Sequence, residues 1–325
     1  MAAAEQIKSL IKSFGDGDES RFFATAMQIA ASEARQGHTT FAQELKNLIE
    51  KAKKERSVAF LDRSKTIPIS RPKRELHELV DVFQPKIKLK DMVLGIEIND
   101  TLKRIVEEQR KFDLLRQHNL MPRRKLLLTG PPGCGKTMTA QALAGELGLT
   151  VFIIRLDGLI SKFMGESIAK LRLIFDAMED HRGVYLFDEF DSIGAQRDKG
   201  HDVGEIKRVL NGFLVNIEKD QSNSIIIAAT NLPESLDKAL FRRFDDIIRY
   251  PIPELNEIKV LLKKNLSGFK LAERISYDKI GKAAHGLSCS DVVRACEESI
   301  KEMIIKGNSS ISTISLLSSL KQRKQ

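Results

Sequence analysis

Residues 126–137 read Leu-Leu-Leu-Thr-Gly-Pro-Pro-Gly-Cys-Gly-Lys-Thr, and this stretch decides the fold. Its leucines predict a short buried strand, and the residues after the glycines have a helical pattern. Between strand and helix lies a G-x-x-x-x-G-K-T phosphate loop, residues 130–137. In such a loop the backbone N–H groups turn inward around phosphate oxygens, and the following helix directs its positive end at them. The stretch therefore predicts phosphate binding between a strand and a helix.

The phosphate loop also predicts the cofactors, ATP and Mg²⁺. Lys136 is expected to reach the β- and γ-phosphate oxygens, and the Thr137 hydroxyl is expected to bind magnesium. The residues of this segment that we predict to contact the nucleotide are Gly130, Pro131, Pro132, Gly133, Cys134, Gly135, Lys136, Thr137 and Met138.

Apolar runs alternate with helical patterns along the rest of this region. The runs are LLLTG at 126–130, VFIIRL at 151–156, VYLF at 184–187, SIIIAAT at 224–230 and DIIRY at 246–250. Such alternation predicts a parallel sheet with helices on both faces. After Pro251 and Pro253 the strand signal ends, and three or four helices are predicted up to Gln325. The predicted class is α/β, a P-loop NTPase sheet sandwiched by helices and followed by a small helical lid.

The chain before the sheet has a different pattern. The first 57 residues predict three amphipathic helices, with apolar faces that include Phe22, Ala26, Ile29 and Ala30 in one and Phe41, Leu45, Leu48 and Ile49 in another. Prolines among charged residues then predict a linker with one short helical piece. The predicted domains are a helical bundle at 1–57, which either binds a partner or substrate or caps the next domain, a linker at 58–90, an ATPase domain at 91–250 and a lid at 251–325.

Two carboxylates follow the apolar run at 184–187, at the edge where open α/β sheets bind ligands. We predict that Asp188 holds magnesium and that Glu189 orients and deprotonates the attacking water. Asp191 fits a helix cap better than a third catalytic acid.

Further along, Thr230-Asn231 and the run Leu-Asp-Lys-Ala-Leu-Phe-Arg-Arg-Phe-Asp at 236–245 resemble the second region of homology of the AAA family proper. The resemblance runs from about Leu89 to the end of the chain. It implies that Asn231 is a polar sensor for the γ-phosphate and the lytic water. It also implies that Arg242 and Arg243 are arginine fingers inserted into the site of a neighbouring subunit. Many relatives separate these two arginines, so which of them reaches the phosphate stays open.

The same resemblance extends to the lid and to the residues before the phosphate loop. Gly-Leu-Ser-Cys-Ser-Asp at 286–291 is similar to the family's G-x-S-G-A-D segment, which implies nucleotide contacts by Ser288, Cys289 and Ser290. Cys289 and Ser290 replace the family's Gly and Ala, which leaves the geometry open. Met92, Val93 and Leu94 occupy the position of the nucleotide pocket upstream of the loop, and they are equally compatible with simple core residues.

A pore loop is implied by Leu-Ile-Ser-Lys-Phe-Met-Gly-Glu-Ser at 159–167, which resembles the first pore loop of katanin- and spastin-type proteins. In a hexameric ring, Lys162, Phe163 and Met164 would grip an extended polypeptide through apolar, non-directional contact. The segment 194–204 matches a second pore loop in position. The alternative for Phe163 is a side chain buried beneath its own loop.

These features together predict an ATP-driven protein-remodelling motor, which forms a homo-oligomer, acts on a protein substrate and could serve a separate protease. The net charge of +9 is concentrated in residues 51–125, with 20 Lys and Arg against 11 Asp and Glu. This leaves a nucleic-acid motor or loader as a less favoured alternative, and a nucleotide-gated switch as another.

The distribution of apolar residues and cysteines bears on the location of the protein and on metal and disulfide sites. No stretch approaches the roughly 18 apolar residues that a membrane helix needs, so we expect a cytoplasmic protein without a membrane partner. The three cysteines form no C-x-x-C pair, which predicts reduced thiols rather than a zinc site or disulfides.

Overall fold

The computed structural model describes residues 19–35, 38, 40–49, 76, 79–159, 166–194, 203–271 and 277–324. The chain divides into two compact units, Met1–Ile67 and Pro68–Gln325. In the described residues, no helix combines the length and the apolar character that a bilayer crossing needs.

The first unit contains two described helices, α1 (Glu19–Arg35) and α2 (40–49). Ala26 and Ala30 of α1 are buried, as the predicted apolar face requires. In α2 the buried residues are Ala42 and Ile49, whereas Phe41 and Leu48 are 52% and 64% exposed. The predicted face of α2 is therefore wrong by about one residue, because Ala42, Leu45 and Ile49 share a stripe that excludes Phe41 and Leu48. The third predicted helix of this unit lies outside the described residues.

The second unit alternates strands and helices and then becomes helical. Its strands are β1 (Val80–Phe83), β2 (Lys125–Thr129), β3 (Thr150–Ile154), β4 (Gly183–Phe187), β5 (Ile225–Thr230) and β6 (Asp246–Arg249). Its helices are α3 (Ile96–Arg110), α4 (Phe112–Gln117), α5 (Lys136–Leu147), α6 (Leu156–Leu159), α7 (Glu166–Asp180), α8 (Asp191–Gly194), α9 (Val203–Lys219), α10 (Lys238–Phe241), α11 (Leu255–Leu266), α12 (Tyr277–Ala284), α13 (Cys289–Ile305) and α14 (Thr313–Gln322). Short 3₁₀ turns lie at Leu89–Asp91 and Pro233–Ser235.

The six strands form one sheet in the order β1-β3-β4-β5-β2-β6. Strands β3, β4, β5, β2 and β6 are parallel, which confirms the predicted sheet, and each begins within two residues of its predicted start. Strand β1 is different, because it pairs antiparallel with β3 inside the segment predicted as a linker. The linker prediction is wrong there. The sequence of β1 is Val-Asp-Val-Phe, in which Asp81 interrupts the apolar run, and only Val80 is buried.

Helices cover both faces of the sheet, and alternate residues of each strand point to opposite faces. On one face Leu127, Tyr185 and Phe187 pack with residues of α7 and α9, including a T-shaped contact of 5.0 Å between the rings of Phe187 and Phe213. On the other face, a second core contains Leu126, Leu128, Leu186 and Ile227 together with apolar residues of α3 and α5. Burial on both faces explains why these strands are uninterrupted apolar runs.

The four helices α11 to α14 form the lid, which has an apolar core of its own. This core includes Ile258, Leu262, Val292 and Leu316, all fully buried. Helix α13 begins at an N-cap serine, Ser288, whose hydroxyl accepts a hydrogen bond from the Asp291 N–H at 3.2 Å. The predicted change from strands to helices after residue 250 is confirmed.

A buried ion pair lies just before β2. The Arg124 guanidinium contacts the Asp220 carboxylate and also donates to the Asp220 carbonyl oxygen at 2.6 Å. The exposed fractions of the two side chains are 9% and 1%. Because neither charge is solvated by bulk water, each depends on the other for its compensation.

Replacing Arg124 with alanine should destabilise the protein by about 3–5 kcal/mol, because Asp220 would remain buried without a cation. The measurement is urea unfolding followed by circular dichroism. Lys111→Ala is the matched control, since it removes an ion pair with Glu107 in which both side chains are more than half exposed. It should change the unfolding free energy far less. Equal unfolding midpoints for the two variants would contradict the prediction.

Candidate nucleotide-binding site

The phosphate loop connects β2 to α5 through a backbone that only glycine adopts easily. Gly130 has φ +142°, and a Cβ atom there would lie 2.1 Å from the carbonyl oxygen of Tyr250. Gly133 and Gly135 have φ values of +74° and +100°, and Gly135 is the N-cap of α5. The loop therefore has the close-packed, turned backbone that the motif predicts. Met138 lies in the first turn of α5, and the phenol of Tyr250 is 2.6 Å from the Thr139 hydroxyl.

The ammonium group of Lys136 lies over this loop. Its Nζ donates to the carbonyl oxygens of Gly130 and Pro131 at 2.7 and 2.8 Å, and to Oδ1 of Asn231 at 2.8 Å. Burial lowers the pKa of Lys136, and the nearby Asp188 and Asp191 carboxylates act in the opposite direction. The structure thus brings together the predicted phosphate-binding lysine and the predicted sensor, although they are 95 residues apart in the chain.

The two predicted magnesium ligands are also in contact. The Thr137 hydroxyl donates to Oδ2 of Asp188 at 2.6 Å. A hydroxyl and a carboxylate beside a phosphate-binding loop suit Mg²⁺, which usually takes one or two protein ligands and completes its shell with phosphates and waters. The described residues contain no group of three or more His, Cys, Asp or Glu side chains placed to hold a metal. Thr137 and Asp188 thus offer the hydroxyl and the carboxylate that such a cation binds.

Glu189 has an unusual backbone conformation. Its φ is +49°, in the left-handed region, and its side chain is exposed. Its neighbours fix it in place: Oδ1 of Asp188 accepts a hydrogen bond from the Glu189 N–H at 2.9 Å, and the Phe190 N–H donates to the carbonyl oxygen of Ala229 at 2.8 Å. Strained backbone costs about 1–3 kcal/mol and persists where its surroundings impose it. The turn directs the Glu189 carboxylate away from the sheet core and into solvent.

Asp191 has a role that the sequence does not reveal. The sequence predicts a helix cap, but Asp191 is the first residue of α8 and its carboxylate contacts the neighbouring strand. Its Oδ1 accepts hydrogen bonds from the Thr230 hydroxyl at 3.0 Å and from the Asn231 N–H at 3.1 Å. The signal available in the sequence is its position, three residues after Asp188 at the same strand end.

The lid contacts the phosphate loop directly. The Ser290 N–H donates to the carbonyl oxygen of Gly133 at 3.0 Å, and Ser288 and Ser290 share a hydrogen bond of 3.0 Å between their hydroxyls. Cys289 is partly buried beside Cys134, and burial raises the pKa of Cys289 to about 12. All three cysteines are free. The predicted lid segment is therefore at the loop, as nucleotide contact requires.

Val93 and Leu94 join the two parts of the unit. Val93 packs against the lid core, and Leu94 packs against the core between the sheet and α5. Both side chains are partly buried, so the structure gives them packing roles and places them beside the interface between the lid and the sheet domain.

The two predicted finger arginines lie at the end of helix α10, and neither is bonded to the phosphate loop of its own chain in the described residues. Arg242 is exposed at the C-cap of α10, and Arg243 is half-buried with its Nε 3.1 Å from Oε2 of Glu218 at the end of α9. Lys162, Phe163 and Met164 lie outside the described residues, as does most of the predicted second pore loop. The structure therefore distinguishes the two arginines, and the roles of the pore residues stay predictions.

Comparison with known proteins agrees with this site. A family profile described as "ATPase family associated with various cellular activities (AAA)" matches residues 126–252. Over 306 residues, 94% of this chain and 91% of the relative, the sequence is 34% identical to "Uncharacterized AAA family ATPase y4kL" of Sinorhizobium fredii (strain NBRC 101917 / NGR234). The chain belongs to the AAA family of ATPases. Membership of the AAA family implies nucleotide binding and indicates ATP hydrolysis.

A second AAA relative matches a smaller part of the chain. This sequence is 35% identical over 181 residues to "Meiotic spindle formation protein mei-1" of Caenorhabditis elegans, covering 54% of this chain and 38% of the relative. The match to mei-1 is therefore confined to about half of this chain.

We expect Gly133→Ala to weaken ATP binding at least about tenfold, because an added Cβ would lie 2.2 Å from the Ser290 hydroxyl and displace the lid from the loop. The measurement is a titration with a fluorescent ATP analogue. Gly286→Ala is the control: its φ of +88° carries a similar backbone cost, but no atom lies within 4 Å of the added Cβ. Unchanged affinity in Gly133→Ala, with a folded protein, would contradict the contact.

Proposed function

We propose that this AAA ATPase is a Mg²⁺-dependent, ATP-driven protein-remodelling motor that works as a ring, with six subunits as the expected number. The observation that carries the proposal lies at the carboxyl edge of the sheet, where one side-chain hydrogen bond joins Lys136 to Asn231 and another joins Thr137 to Asp188. In the proposed site Lys136 binds the phosphates, while Thr137 and Asp188 hold the cation. Asn231 contacts the γ-phosphate and the water.

Glu189 is the proposed general base. It follows the magnesium-binding Asp188 directly, and its exposed carboxylate is free of the sheet core. A carboxylate in this place can orient a water and accept its proton. As the water oxygen bonds to the γ-phosphorus, the bond from the γ-phosphorus to the β-phosphate oxygen breaks and ADP leaves. The bound Mg²⁺ would neutralise charge on the phosphate oxygens during the same step.

A second copy of the chain would complete the site. Arg242 is exposed at the end of a short helix, so its guanidinium is accessible to a neighbouring subunit. The position of Arg243 beside Glu218 of its own chain indicates that it supports the loop that presents Arg242. We therefore propose Arg242, rather than Arg243, as the principal finger.

The finger assignment predicts different results for the two arginines. Arg242→Ala should lower kcat by about 10³-fold or more while a single subunit still binds ATP, because the charge on the transferred phosphoryl group would lose its partner in trans. Arg243→Ala and Glu218→Gln should have smaller and similar effects, since both remove the same support. Steady-state phosphate release and ATP titration measure these values. Full activity of folded Arg242→Ala would refute the assignment.

The remodelling activity is proposed from the segment 159–167 and from the similarity to mei-1, whose name refers to spindle formation, a process that involves protein assemblies. In this proposal Phe163 contacts the substrate polypeptide, and ATP hydrolysis moves it along the axis of the ring. A separate protease could receive the product. The proposed location is the cytoplasm.

A trap variant tests the substrate class. Glu189→Gln should bind ATP, hydrolyse it slowly and retain whatever the ring holds, because the base is lost while the phosphate contacts remain. Proteins captured by this variant supply the substrate for the next step. With that substrate, Phe163→Ala should hydrolyse ATP at a rate close to that of the unmodified protein and fail to remodel it. Remodelling that survives this substitution would refute the pore proposal.

A nucleic-acid motor is the second candidate, favoured by the basic residues in 51–125. The structure weakens it, because several of these cations are already paired with acids of the same chain: Arg104 and Arg123 with Glu108, Arg110 with Glu146, Lys111 with Glu107 and Arg124 with Asp220. Paired cations release fewer counterions when they meet a phosphate backbone. Hydrolysis that is stimulated by DNA or RNA and lost between about 50 and 200 mM salt would favour this candidate.

A further inference from the structure

We propose that Asp191 is a positioning residue for ATP hydrolysis, which holds Asn231 in the orientation that the reaction needs. The inference rests on the proposed function of Asn231 as the sensor. Asp191 lies outside the phosphate loop and is distinct from the pair Asp188 and Glu189. Without this role, its carboxylate would belong only to the start of helix α8.

The contacts at the end of β5 carry the inference. One carboxylate oxygen of Asp191 accepts hydrogen bonds from the Thr230 hydroxyl and from the Asn231 N–H, at 3.0 and 3.1 Å. The Thr230 hydroxyl in turn accepts a hydrogen bond from the Leu232 N–H at 3.0 Å. The backbone on both sides of Asn231 is therefore fixed by one charge-assisted network. Hydrogen bonds to a charged group are stronger than neutral ones, which suits a positioning role.

The position of this network in the sheet explains what it would do. Strand β4 is followed by Asp188, Glu189 and Asp191, and the adjacent parallel strand β5 is followed by Asn231. Through its carboxylate, Asp191 connects the segment that follows β4 to the end of β5. Its bonds set where the Asn231 amide lies, 2.8 Å from the Lys136 ammonium. Catalysis is sensitive to displacements of about 1 Å at the reacting atoms, so loss of this connection should appear in the rate.

A purely structural carboxylate would predict a different outcome. Asp191→Ala would then reduce stability, and ATP affinity and kcat would change together with the folded fraction. A positioning role predicts that kcat falls while ATP affinity and the folded fraction stay nearly unchanged. Because Lys136 and the loop glycines still bind the phosphates, ATP affinity should stay within about threefold while kcat falls by about tenfold or more.

The experiment compares Asp191→Ala, Asp191→Asn and Asn231→Ala in the full-length chain, each checked for folding by circular dichroism. Phosphate release gives kcat and a fluorescent ATP analogue gives affinity. Asp191→Asn keeps an oxygen that can accept both hydrogen bonds, so it should recover most of the rate that Asp191→Ala loses. If Asp191 acts through Asn231, adding Asp191→Ala to Asn231→Ala should lower kcat little further.

The outcomes separate this inference from the proposed function. Full kcat in Asn231→Ala would refute the sensor and with it the positioning role. A large loss in Asn231→Ala together with full kcat in Asp191→Ala would refute the positioning role alone. Multiplicative losses in the double variant would also refute it. Should Asp191→Ala fail to fold, Thr230→Val removes one donor of the same network, and unchanged kcat in that variant would overturn the inference.

Discussion

Strand β5 lies between β4 and β2 and is hydrogen-bonded in parallel to both, and the site depends on this arrangement. Because the strands are parallel, their carboxyl ends meet at one edge of the sheet. The phosphate loop follows β2, Asn231 follows β5, and Asp188 and Glu189 follow β4. Three separate segments of sequence thus come within hydrogen-bonding distance of one another.

The same arrangement determines where polar and charged side chains lie and which groups they bond to. Both faces of the sheet are buried under helices, so polar groups are concentrated at the strand ends, where they bond to one another. At the carboxyl edge, Lys136 is partnered by carbonyl oxygens and by Asn231, and Thr137 by Asp188. Before the start of β2, Arg124 and Asp220 compensate each other in a buried pair. Because these groups are buried or partly buried, breaking any of these contacts would leave a polar group without a partner and raise the free energy of the folded state. The contacts therefore hold the groups at both edges of the sheet in a defined geometry.

The sequence predicts the parallel strands and the phosphate loop well, because an apolar run that is buried on both faces and a glycine-rich turn are local signals. Strand β1 escapes prediction because it is short, Asp81 interrupts its apolar residues, and its pairing with β3 joins segments about 70 positions apart in the chain. The face of α2 is displaced because Phe41 and Leu48, although apolar, are exposed. The contacts of Asp191 with Asn231 and of Arg243 with Glu218 each join residues more than twenty positions apart. Such contacts follow from tertiary packing, and no local pattern encodes them.

The positions of Arg242 and Arg243 bear on the proposal that a second copy of the chain completes the nucleotide site. Among the described residues, Lys136 is the cation whose side chain bonds to the phosphate loop. Transfer of a phosphoryl group spreads negative charge over three oxygens, which a lysine and a metal ion on one side neutralise incompletely. Arg243 is engaged with Glu218, whereas Arg242 faces solvent at the end of a four-residue helix. Entry of this exposed guanidinium into a neighbour's site, as proposed, would immobilise a flexible side chain at a cost of about 0.5–1.5 kcal/mol. Because the guanidinium is planar and always charged, its contacts with the phosphate oxygens would offset that cost.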